Sequence, residues 1–134
     1  MCVPNGKVKF AGSKKFVADF TARYKKPPEN QAWGDYNAMK LVAQAMAETK
    51  STDSTKLVEH FEKEAKFGLM KTREGYFRKS DHQMMHEMYT VKAIPAAQLK
   101  NDYDIFTSSP AVPGPKEPLD VIATVGDEIE CRMA

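Results

Sequence analysis

The stretch Gln31-Ala32-Trp33-Gly34-Asp35-Tyr36-Asn37-Ala38-Met39-Lys40-Leu41-Val42-Ala43-Gln44-Ala45-Met46-Ala47-Glu48 decides how the rest of the chain is read. Its polar residues Asn37, Lys40, Gln44 and Glu48 recur at spacings of three and four, so on a helix they form one narrow stripe. The remaining circumference is Trp, Tyr, Met, Leu, Val and Ala. That pattern predicts a helix over 31–48 buried on most of its sides. Such a helix needs neighbours to cover it, and the chain offers few.

The neighbours follow from the same periodicity. Before the central helix, Phe16, Val17, Phe20 and Tyr24 give one apolar face to a helix over about 13–26, with Ser13 as its N-cap. Lys25-Lys26 suits the C-terminal dipole, and Pro27-Pro28 stops it. After the central helix, Ser51-Thr52-Asp53 offers caps to a third helix over about 53–67, whose inner face is Leu57, Val58, Phe61 and Ala65. Gly68 fits the left-handed position just past its end.

From Arg73 the period shortens. Gly75–Arg78 and Met84–Ala93 flank Lys79-Ser80-Asp81-His82, which predicts a β-hairpin over about 73–93. Beyond it, Tyr103–Thr107 suits an edge strand. Pro110, Pro113, Pro115 and Pro118 favour an extended course without regular structure over the tail, 95–134. Residues 1–12 read as a leader and 13–94 as a partial lobe. By itself the chain is therefore α+β: three helices, a hairpin and an extended Pro-rich tail.

Composition narrows the function. The 134 residues carry 20 basic and 18 acidic side chains, a formal charge of +2, which gives no argument for an anionic membrane, and no nucleic-acid partner is expected because no strongly basic patch stands out. No apolar run has the length of a transmembrane helix, and Met1–Lys7 lacks the apolar core of a signal peptide. Cys2 and Cys131 lie near the two ends. A disulfide between them would close a very long loop, worth about 4–5 kcal/mol in the chain-entropy picture. Two unpaired thiols is the preferred reading.

Catalytic constellations are missing. His82 and His86 have the spacing of zinc ligands on a helix, but on a strand they stand about 13 Å apart, too far to share an ion. They are expected to face solvent, and His60 has no evident partner. No histidine is placed to activate Cys131, no phosphate loop or nucleophile elbow is present, and the carboxylates are scattered. The chain reads as a non-enzyme with no metal and no cofactor. What remains is Gln31, Trp33 and Tyr36 at the start of the central helix. As core aromatics they are unremarkable, and as pocket walls they would supply an apolar surface with a polar handle.

A longer series then becomes informative. Phe16-Val17-Ala18-Asp19-Phe20-Thr21-Ala22-Arg23-Tyr24 is followed by Pro27-Pro28, Gly34-Asp35-Tyr36-Asn37-Ala38, Ser51-Thr52-Asp53, Gly75–His82 and Met88-Tyr89-Thr90-Val91-Lys92. This ordered run, from about Ser13 to Ala93, resembles the C-terminal part of the branched-chain amino-acid type substrate-binding proteins of bacterial ABC transporters. These are the type I periplasmic binding proteins of the leucine/isoleucine/valine-binding kind. The resemblance implies an α/β fold of two lobes joined by hinge crossings, which close on an amino acid or related small carboxylate and dock on a membrane permease. It implies a periplasmic location, with the export signal and the parallel βαβ units lying upstream of Met1. It also places Gln31, Trp33 and Tyr36 near the ligand cleft. Gln31 departs from the apolar or aromatic contact the family often has there, which argues against a purely aliphatic ligand. A reading from another class stands beside it: a non-enzymatic α+β interaction module, homodimeric, with no ligand of its own. A cytoplasmic ligand-sensing relative of the same fold is a third.

Overall fold

Helix α1, Ser13–Tyr24, begins one residue earlier than a Ser13 cap would allow. Gly12 is its N-cap, at φ 90, and its carbonyl accepts from the Phe16 amide at 2.9 Å. Glycine takes that left-handed conformation without steric cost, so Ser13 becomes the first helical residue and is buried. The helix stops at Lys25, itself left-handed at φ 60, ahead of the two prolines. Residues 12–126 are the ones described by this computed structural model.

The central helix α2 runs over Asn30–Thr49 and ends on Lys50 at φ 51. Its buried positions are Asn37, Leu41 and Ala45, four apart on a single stripe. The expectation of burial on most sides is therefore corrected, since Met39 is 73% exposed and Tyr36 and Val42 are also exposed. Asn37 is corrected too. It is 3% exposed and faces inward: its Nδ2 donates to the Trp33 carbonyl one turn earlier at 2.8 Å, while its Oδ1 is buried without a partner among the described residues.

Helix α3, Ser54–Glu62, starts as its cap predicts. The Asp53 carboxylate accepts from the Lys56 amide at 3.1 Å, and the Asp53 amide donates to Ser51 Oγ at 3.1 Å. Removing that cap in Asp53→Ala is expected to cost about 1 kcal/mol, read as a lower urea midpoint at unchanged slope. The helix ends well before 67, so Gly68 does not cap it. Glu64 takes the left-handed position at φ 54, and Phe67 then exchanges two 2.9 Å backbone hydrogen bonds with Gly75. Burial of Phe67 explains the early stop, because a continued helix would not present it to the core formed with Leu41 and Leu69. Trp33, Phe61, Ala65, Phe77 and Met84 pack around that small centre.

The strands depart most from expectation. Strands β1, Tyr76–Phe77, and β2, Met84–Met85, make a short antiparallel hairpin in the register Tyr76↔Met85 and Phe77↔Met84. Its turn is fixed by Arg78, which grips the Asp81 carboxylate through Nε at 3.0 Å and Nη2 at 2.5 Å. The predicted second arm, Met84–Ala93, is not one strand. It breaks at His86-Glu87, and β3, Met88–Ala93, pairs instead with β4, Phe106–Val112, from Met88↔Val112 to Ala93↔Phe106.

So the hairpin over 73–93 is two separate pairings, and the tail is not without regular structure. Pro110 lies inside β4 because the register shifts there: the pairs Tyr89↔Ala111 and Val91↔Ser108 leave Ser109 and Pro110 opposite Thr90. A proline is tolerated at such a bulge, where no ladder donor is asked of it. The Thr90 amide donates to Ser109 Oγ at 3.2 Å in place of a backbone partner. The described fold is α+β, with three helices and two small antiparallel sheets. Among the described residues no helix is long and apolar enough to cross a membrane.

Candidate functional site

Helices α1 and α2 leave a trough between them, about 610 Å³ in volume, within the size range of small-molecule sites. The α1 wall presents Lys15, Phe16, Asp19, Phe20, Arg23 and Tyr24, a single face at helical spacing. From α2 come Ala32, Tyr36 and Lys40, and the far side is closed by Gly68, Met70 and Lys71. The rings form a ladder. Tyr36 and Phe16 have centroids 4.8 Å apart, Phe16 and Phe20 6.0 Å, and Phe20 and Tyr24 4.5 Å. Each pair lies in the range where tilted aromatic contacts are favourable.

The sequence had singled out Gln31, Trp33 and Tyr36, and the structure separates them. Tyr36 is a wall of the trough, whereas Gln31 is exposed on the first turn of α2 and is not part of that wall. Trp33 points the other way, into the core. Its Nε1 donates to the Leu69 carbonyl at 3.0 Å, and its ring meets His86 edge-on at 5.7 Å. The link between Trp33 and the trough is Lys71, whose ammonium lies 4.8 Å from the Trp33 ring and whose side chain also lines the trough.

Lys71 in turn belongs to a knot that sequence reasoning missed. Its Nζ donates to the Glu87 carbonyl at 2.6 Å and stands 2.9 Å from His86 Nδ1. The Glu87 carboxylate, on a residue only 1% exposed, accepts from the Thr72 amide and from the Tyr89 hydroxyl, both at 2.5 Å, and from the Thr72 hydroxyl. Burial pushes this carboxyl up, but the bonds from Thr72 and Tyr89 outweigh it and hold it below its ordinary range. Burial, with Glu87 beside it, drives the Tyr89 phenol well above its usual value. Burial also lowers His86. One clue was available in the sequence: Glu87 is a lone carboxylate inside the apolar run Met84–Val91.

The other expected features can be placed. His82 and His86 do not face solvent as expected, since His82 Nε2 is 3.0 Å from Glu62 Oε1 and His86 is half-buried against Trp33. His60 has a partner after all in Glu48, at 2.8 Å. Among the described residues no group of three or more His, Cys, Asp or Glu side chains could hold a metal ion. Cys2 and Cys131 lie outside the described residues.

Comparison with known proteins adds one positive finding. Residues 4–98 match the family model described as periplasmic binding protein. No curated protein and no solved structure matches the chain. Members of that family are generally non-enzymatic binders of small molecules, usually periplasmic, that work with a transporter. The match takes in all three helices, the trough between α1 and α2, and both strands of the short hairpin. This chain belongs to the periplasmic binding protein family.

Proposed function

We propose that the chain is the C-terminal part of a solute-binding protein of the branched-chain amino-acid type, capturing an amino acid or related small carboxylate for an ABC permease in the membrane. It acts in the periplasm and is not an enzyme. The observation that supports this most is the trough: in a family of small-molecule binders, aromatic rings and cations meet in one concavity of suitable size. Tyr36 contacts the ligand directly in this reading. Trp33 acts on it only through Lys71, and Gln31 stands outside the wall.

A thermal unfolding scan of the full chain, alone and with amino acids and small carboxylates, tests the proposal. Only a ligand that favours the folded state raises the transition, by about 2.7 kcal/mol at a hundred times its dissociation constant. A shift by at least one carboxylate is expected. A sharp transition that none of them moves would overturn autonomous binding.

One observation favours the second reading, a homodimeric interaction module. The exposed face of α2 carries Ala38, Met39, Val42, Ala43 and Ala47 without an intervening charge. Sedimentation at rising concentration separates the two, since the module alone requires dimers.

A further inference from the structure

The ligand class can be narrowed from the charges and rings of the trough, an inference that rests on the solute-binding reading above. Among the described residues its lining holds four cations, Lys15, Arg23, Lys40 and Lys71, against one carboxylate, Asp19. That carboxylate is already engaged by Lys15 at 2.5 Å. A zwitterionic amino acid brings an α-ammonium that needs an anionic or carbonyl partner. Among the described residues it would meet one carboxylate, Asp19, that already has Lys15 on it, while Arg23 and Lys40 add positive charge and Lys71 is held in the knot with Glu87. A simple carboxylate meets no such cost. Opposite charges lower its energy on arrival, and no group on it is left unpaired.

The apolar half of the lining decides the rest. The rings of Phe16, Phe20 and Tyr24 follow one another along α1, and Tyr36 of α2 stands against Phe16, all at 4.5–6.0 Å between centroids. A flat ring laid on this ladder gains edge and face contacts of about 0.5–1.5 kcal/mol beyond its buried area, which a branched aliphatic chain lacks. Lys40 stands beside the ladder with its ammonium 6.0 Å from the Tyr36 centroid, and it donates to the Gly68 carbonyl at 3.2 Å. From there it reaches a carboxylate whose ring rests on Tyr36 and Phe16. The geometry points to an aromatic monocarboxylate without an α-amino group as the ligand of this trough, its ring on Tyr36 and Phe16 and its carboxylate on Lys40.

Four probes separate the two features: 3-phenylpropanoate, phenylalanine, 4-methylpentanoate and leucine. Each acid differs from its amino acid by the ammonium alone, and the two acids differ by the ring. Calorimetric titration of the full chain is expected to show 3-phenylpropanoate binding about tenfold tighter than phenylalanine and than 4-methylpentanoate, with leucine weakest. Lys40→Gln should weaken 3-phenylpropanoate about tenfold, as loss of a charge-assisted bond does, and leave the unliganded melting transition in place. Tyr36→Leu should reduce the difference between the two acids. Leucine or phenylalanine binding tighter than its deaminated analogue would overturn this inference and leave the solute-binding reading standing. Affinity for 3-phenylpropanoate that survives Lys40→Gln unchanged would overturn it too. Binding of none of the four would remove both.

Discussion

Gly75→Ala is expected to cost about 3 kcal/mol of stability, near the top of the range for overpacking a core. A methyl group at Gly75 would stand 2.6 Å from Leu69 Cδ1 and 2.7 Å from the Met85 carbonyl oxygen. Neither neighbour has room to retreat. Leu69 is buried beside Leu41 and Phe67, and the Met85 backbone is held in register opposite Tyr76. Moving Gly75 instead would break both 2.9 Å hydrogen bonds to Phe67, the bridge that seats the largest fully buried side chain among the described residues. Gly34→Ala serves as the control. It lies within α2 with nothing within 4 Å of the added carbon, so it should stabilise by up to about 1 kcal/mol through helix propensity. Urea unfolding of both variants decides the matter. Equal midpoints would mean that the Phe67–Gly75 bridge does not hold the core together.

That bridge also shows why part of this fold is legible in the sequence and part is not. The helices announce themselves because helical periodicity is local: Phe16, Phe20 and Tyr24 fall on one face wherever the rest of the chain goes. Asp53 could be read as a cap because its partner, the Lys56 amide, is three residues away. Phe67 could not be taken from the third helix on such evidence. What ends α3 is a bridge to Gly75, reached only after the chain has turned back on itself. The same holds for Met88–Ala93. Its composition says strand, but nothing local says that β4 rather than Tyr76–Phe77 is its partner. The four prolines of the tail argued against a strand there, and the bulge at Ser109-Pro110 is the nonlocal device that admits one of them.

The candidate site divides along the same line. Tyr36 could be singled out as an aromatic at the start of a helix, whereas its partners across the trough come from α1 and from the turn at Gly68–Lys71. Trp33, three residues away, faces the core. Residues three apart are neighbours on a helix, yet one ring enters the trough and the other packs against Leu69. The family was legible from the order of its local segments. The ligand was not, because it depends on charges that only the folded chain brings together.

Glu87→Ala is expected to be the most damaging single change at the knot beneath the trough, at about 4 kcal/mol. The substitution strips the acceptor from the Thr72 amide, the Thr72 hydroxyl and the Tyr89 hydroxyl, and buried donors left unpaired cost roughly 1–3 kcal/mol each. Glu87→Gln should cost less, about 1–2 kcal/mol. The Thr72 amide and the Tyr89 hydroxyl both bind Oε1, which the amide retains, and the Thr72 hydroxyl can rotate to accept from the new Nε2.

The pH profile separates charge from shape. The folded carboxyl of Glu87 lies below its ordinary 4.5, so below that value the unfolded chain binds the proton first. Its stabilisation is therefore complete above pH 4.5 and is lost as pH falls through the depressed value. His86, lowered from 6.5 by burial, has the same sign in a higher window: its neutral form is kept in the folded chain, and stability declines as pH falls below 6.5. Glu87→Gln should keep the decline that begins near 6.5 and lose part of the one below 4.5. The difference between the wild-type and Glu87→Gln profiles, measured by urea unfolding from pH 7 to pH 3, isolates the carboxylate. Parallel profiles across that whole range would mean that Glu87 does not hold Thr72 and Tyr89 as an anion. The turn that carries Lys71 to the trough would then have to be fixed by its backbone alone.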